Sequence, residues 1–156
     1  MVKNRGGAYI AEKHGRDKYK VTETYCFPLA GAPVPKEKTV AIFGRNPAGH
    51  EILYAMLGKK ALYVYPGYRW DGASGPTIDS EDSMQASLFH DVVYQMLRER
   101  KLPLGKLRTR ALTRVWADWQ FLRILKEDGM PWARRRLWFR VVRKYAAYAA
   151  EPPKEI

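Results

Sequence analysis

A chain of 156 residues has room for one domain of ordinary size and can bury a core without disulfide staples. Its 46% hydrophobic and 28% charged residues exclude a disordered chain, and its single cysteine, Cys26, excludes an internal disulfide or a cysteine-cluster metal site. Lys and Arg number 28 against 16 Asp and Glu, a net charge of +12, and no apolar run approaches the ~20 residues of a membrane span.

In chain order, the first twenty residues have no apolar core segment, so no signal peptide is expected, and one cysteine fits a reducing compartment. The first half then reads as β. Residues Tyr19 to Phe27 alternate large and polar side chains and are rich in β-formers. A Pro/Gly/Ala loop runs from Pro28 to Pro35. Thr39 to Phe43 is a second β run, ended by Gly44-Arg45-Asn46-Pro47. His50 to Leu57 is ambiguous between strand and helix. Ala61 to Tyr65 is a third strand, closed by Pro66-Gly67.

The second half reads as three helices. Ser80 or Asp79 can cap the first, with Glu81 and Asp82 favourable in its opening turn. Its apolar stripe is Leu88, Phe89, Val92, Val93 and Met96. Leu102-Pro103-Leu104-Gly105 breaks the chain, and a second helix runs from about Lys106 to Asp128. Gly129 suits the position after its end, and Pro131 suits the first turn of a third helix. That helix carries Leu137, Trp138, Val141, Val142 and Tyr145 on one side and Arg134, Arg135, Arg136, Arg140 and Arg143 largely elsewhere. The expected architecture is α+β: a single domain over residues 1–150, with a small antiparallel sheet from the N-terminal half packed on a three-helix C-terminal part, then a loose tail.

Charge is concentrated late. From Arg98 to Lys144 there are 15 Lys/Arg and 4 Asp/Glu, against 13 and 12 in the rest. Such a field attracts nucleic acid or an anionic lipid surface. The same charges also suit solvated helix faces whose Arg stems cover apolar surface.

Three local signals bear on chemistry. The link from Tyr68 to Thr77 (YRWDGASGPT) has two glycines and a proline, with Asp71 beside the turn; such a loop can offer oxygen ligands to a hard cation, or Asp71 can make a local turn bond. In His90-Asp91-Val92-Val93-Tyr94, His90 and Tyr94 lie four apart on one flank of a helix while Asp91 points about 100° away. On the second helix Ala111, Leu112, Val115, Trp119, Leu122 and Leu125 form a stripe with Asp118 inside it, beside Trp116. A carboxylate there needs a partner. If the first two helices form an antiparallel hairpin, positions 90 and 118 are symmetric about 104, inside the break. His90 and Asp118 can then meet as a base and its orienter. The alternative is that Asp118 bonds a backbone amide or an arginine such as Arg114 or Arg123.

The strings W-D-G-A-S-G-P, F-H-D-V-V-Y and A-D-W-Q-F resemble, over roughly Val64 to Tyr145, a family of small phage and bacterial proteins of unknown function. That resemblance implies phage or prophage origin, and so the host cytoplasm or the virion. More distantly, the same three pieces look like the calcium-dependent secretory phospholipase A₂ site. Carried over, that resemblance implies His90 as general base, Asp118 as its partner and Tyr94 as support. It implies calcium held by Asp91 and the Asp71–Gly72 loop. The family's disulfides have no counterpart here, the loop is shortened, and a β region precedes it.

Three function classes therefore compete. They are a metal-assisted ester or phospholipid hydrolase that meets an anionic phospholipid surface, a virion or tail component that meets other virion proteins and whose polar motif is structural, and a nucleic-acid binder using the arginine-rich third helix. No zinc-finger, leucine-zipper or RNA-recognition pattern supports the last. His14 and His50 have no evident partner. Ser74 lacks the context of an activated nucleophile, and Cys26 reads as a quiet thiol on a strand.

Overall fold

The computed structural model describes residues 6–11, 18–72, 80–99, 101–102 and 110–145. The chain divides into two compact units, one formed by Met1–Asp71 with Lys101–Lys106 and the other by Gly72–Arg100 with Leu107–Ile156. The architecture is α+β, with an antiparallel sheet from the N-terminal half and three helices from the C-terminal part.

The sheet comprises β1 (Gly6–Ala11), β2 (Tyr19–Pro28), β3 (Val40–Arg45), β4 (Glu51–Leu57), β5 (Ala61–Val64) and β6 (Arg69–Trp70). Its order is β1-β2-β5-β4-β3, with β6 also paired to β2. Every pairing is antiparallel. Register and period-two alternation place one set of side chains on one face. Ile42, Ala55, Val64 and Tyr25 form one cross-strand row, and Val40, Leu57, Leu62 and Phe27 form the next. All eight are buried.

Three differences from expectation have local causes. The ambiguous segment 50–57 is a strand, because Asn46 closes a tight hairpin: its side chain accepts from the His50 amide at 2.8 Å and its own amide donates to His50. β3 runs through Gly44 and Arg45 rather than ending there. The Tyr54 ring lies so close to Gly44 that a Cβ would come within 2.1 Å of it, so this glycine serves packing inside a strand. Strands β1 and β6 were not expected. Gly6-Gly7 carries little β signal, and β6 is two residues long. Both are held to β2 by an aromatic cluster of Tyr9, Tyr19 and Trp70, with ring centroids 5.3–5.6 Å apart.

The helices are α1 (Glu81–Arg98), α2 (Arg110–Glu127) and α3 (Trp132–Tyr145). Ser80 stands at the start of α1, where its amide donates to the Ser83 hydroxyl at 3.0 Å. The expected stripe of α1 is buried throughout. α2 ends as Gly129 foretold. The Met130 amide donates to Leu125 and the Gly129 amide to Lys126, while Gly129 takes φ 89°. This is the paired carbonyl closure of a Schellman end, completed by the buried apolar pair Leu125 and Met130. Pro131 precedes α3, where its carbonyl accepts from the Arg135 amide at 2.9 Å.

The stripe of α2 is corrected. Leu112 and Trp119 are exposed at 46% and 56%, and the buried face is instead Thr113, Ala117, Asp118, Phe121, Ile124 and Leu125. α2 is apolar on two faces, so periodicity alone cannot select between them. On α3, Trp138 is buried as expected, whereas Leu137 is 58% exposed. α2 and α3 run antiparallel, with Phe121 against Trp138 and Trp119 against Phe139. The start of α1 is tied to α3: Arg134 donates to the Ser80 hydroxyl at 2.9 Å and lies 3.6 Å from Asp82.

Candidate active site

The helical unit converges on one carboxylate. Asp118 has no solvent exposure, because α2 turns residues 117, 118 and 121 inward together. Its Oδ1 accepts from His90 Nε2 at 2.8 Å and from the Tyr94 hydroxyl at 2.6 Å, both on α1. Its Oδ2 accepts from Arg143 of α3 at 2.6 Å. Arg114, one turn back on α2, brings Nε to 3.9 Å. One carboxylate thus ties three helices together. Both of its oxygens accept hydrogen bonds, as burial of a charge requires.

His90 is 6% exposed, and its ring meets Tyr94 edge-on at 3.9 Å and Phe121 at 5.3 Å. Because a carboxylate only accepts, Nε2 carries the hydrogen and Nδ1 holds the lone pair. Among the described residues none bonds Nδ1. Burial holds the imidazole below its ordinary pKa against the opposing pull of Asp118, and Arg114 lowers it further. The ring is therefore neutral at pH 7, the form that can take a proton. Asp118 is also held below its ordinary range. Burial opposes ionisation, but the bonds from His90, Tyr94 and Arg143 outweigh it. The Tyr94 phenol is pushed far above its usual range by burial and by the adjacent carboxylate, so it stays a donor.

The expected trio of His90, Tyr94 and Asp118 is thus brought together. The surroundings differ from expectation. Trp119 points to solvent and does not dry the carboxylate; Phe121 and Trp138 are the aromatic groups buried on that side. Arg123 pairs with Gln120 and Glu127 instead of Asp118. Sequence reasoning missed Arg143. The signal was present: positions 118 and 143 are equidistant from the Met130–Pro131 step. The hairpin symmetry that pairs α1 with α2 therefore also pairs α2 with α3.

The residues expected to hold a metal fall in both units. Asp71 closes the sheet unit and is exposed, Gly72 is buried with φ 82°, and Asp91 is half-buried on α1. The remainder of the D-x-A-S-x-P loop, residues 73–79, lies outside the described residues, as do His14 and Ser74. Among the described residues no group of three or more His, Cys, Asp or Glu side chains is placed to hold a metal. His50 is exposed at the β3–β4 turn, and Cys26 is half-buried on β2.

No described helix is long and apolar enough to cross a membrane. Comparison of the chain with protein-family models, with curated proteins and with solved structures returns no match.

Proposed function

We propose that the helical unit is a hydrolase site for carboxylic esters, phospholipids among them, in which His90 is the general base. The observation that carries this reading is the bond from His90 Nε2 to the buried Asp118, which leaves a neutral imidazole with its lone pair on Nδ1. In the step this permits, Nδ1 takes a proton from water as the hydroxide oxygen bonds to the ester carbonyl carbon. The imidazolium then returns that proton to the leaving alkoxide as the acyl–oxygen bond breaks, giving acid and alcohol. Asp118 fixes the tautomer and offsets the transient charge, and Tyr94 and Arg143 hold Asp118 in place.

The resemblance to the phospholipase A₂ site supports the same reading. Calcium at Asp91 is a separate part of the proposal. Millimolar calcium is expected to raise the melting temperature of the wild type and not of Asp91→Asn; no rise in either removes the metal.

The test of the main reading is fatty-acid release from phosphatidylglycerol vesicles and turnover of a water-soluble ester. His90→Ala should lower both by at least a hundredfold, with the helical circular dichroism retained. Equal activity in wild type and variant would refute the assignment. A second reading has its own observation: each of three helices supplies a side chain to Asp118, as a purely structural staple would. A folded wild type inert toward both substrates would favour it.

A further inference from the structure

Between α2 and α3 lies a cleft of about 410 Å³, lined by Trp119 and Leu122 of α2 and by Trp132, Phe139, Arg136 and Arg140 of α3, among others. We propose that this cleft docks the protein on an anionic lipid surface, taking an acyl chain between the helices and placing lipid phosphates against the arginines. It goes beyond the hydrolase reading, since His90, Tyr94 and Asp118 do not line the cleft.

The walls are apolar and open. Trp132 is 64% exposed and Trp119 56%, an expensive way to leave two indoles in water unless another apolar phase covers them. The rim is cationic. α3 holds five arginines and a lysine and no acidic residue. Arg134 and Arg143 are taken up by ion pairs within the unit, and Arg135 bonds the Met130 carbonyl. Arg136 and Arg140 are exposed, and among the described residues no carboxylate pairs with either. Indoles beside unpaired cations match a bilayer interface, where the ring sits at headgroup depth and the cation meets phosphate.

Single-stranded nucleic acid offers the same charge but asks for open ring faces on which bases stack. Here each ring already has a neighbour against part of its surface. Trp119 lies against Phe139 with centroids 4.9 Å apart, and the Arg136 guanidinium covers Trp132 at 5.3 Å. Leu122 in the wall adds aliphatic surface, which serves an acyl chain better than a base.

The experiment is sedimentation of the full chain with vesicles of phosphatidylglycerol and phosphatidylcholine, with tryptophan emission as a second readout. Binding to phosphatidylglycerol with a blue shift is expected at physiological salt, with at least tenfold weaker binding to pure phosphatidylcholine. Trp132→Ser should weaken binding about tenfold or more, and Arg136→Gln and Arg140→Gln about fivefold each. Trp132 is outside the core, so its replacement leaves the fold intact, and unchanged circular dichroism checks this. Wild-type affinity in all three variants would overturn the proposal. So would equal binding to both lipids, or a single-stranded oligonucleotide that binds more tightly and depends on the same residues. A concentration-dependent dimer lost in Trp132→Ser, with no vesicle binding, would give the cleft to a second copy of the chain instead.

Discussion

Asp118 shows how far a single buried charge organises its neighbours. With both oxygens engaged, its removal harms each donor left behind. Asp118→Asn is expected to destabilise the protein by about 2–3 kcal/mol, the upper part of the range for hydrogen bonds to a charged group. Tyr94→Phe, which removes one donor, should cost about 1 kcal/mol. Chemical denaturation measures both, and a larger loss for Tyr94→Phe would mean that the carboxylate is not the organising group. The same node sets the response to acid. An unfolded imidazole titrates near ~6.5, whereas burial holds folded His90 lower. Between those values the unfolded chain binds more protons, so stability falls as pH drops below ~6.5. Asp118, whose folded pKa is depressed, adds a contribution present above ~3.9 and lost as pH falls through its folded value. Melting temperature followed from pH 8 to 5 should therefore fall more steeply for wild type than for His90→Asn. Parallel curves would assign the loss to other groups.

At the scale of elements, the sequence was most legible where local chemistry and long-range packing agree. α1 combines helix-start residues with an apolar stripe, and both are realised, while residues 103–105 of the expected break lie outside the described residues. The pairing of His90 with Asp118 followed from a symmetry argument that needs only the position of a connection. α2 was legible as a helix but not in its facing, because Leu112 and Trp119 form one apolar row and Phe121 and Ile124 another. Which row turns inward depends on what α1 and α3 present, and that is not written in α2. β1 and β6 were illegible for a related reason: their signal lies in partners, Tyr19 and the β2 edge, outside their own segments. The end of α2 is the opposite case. A Cβ at Gly129 would meet nothing within 4 Å, so only its left-handed backbone resists substitution. Gly129→Ala should thus destabilise by about 1 kcal/mol, through the backbone alone. Gly129→Asn, which tolerates that conformation better, should cost less. Equal losses in urea denaturation would point to a cause other than φ.

At the scale of the molecule, the charge excess is distributed differently in space than along the chain. The last third looks dominant by position, yet the sheet unit carries 14 basic and 6 acidic residues and the helical unit 14 and 10. The bases between Arg98 and Lys144 are partly offset by acids that α1 and its approach bring into the same unit, and Asp118 neutralises Arg143 directly. A general attraction for polyanions is thus expected of the whole chain rather than of α3. Binding to heparin should weaken steeply with salt, falling linearly on a log–log plot. It should shift less than twofold in Trp132→Ser, because that residue adds no charge. The two kinds of anion binding are then separable: charge alone governs heparin, whereas vesicles require charge and the exposed indole together. Heparin affinity that collapses in Trp132→Ser would mean that the aromatic cleft, not the dispersed bases, governs polyanion binding as well.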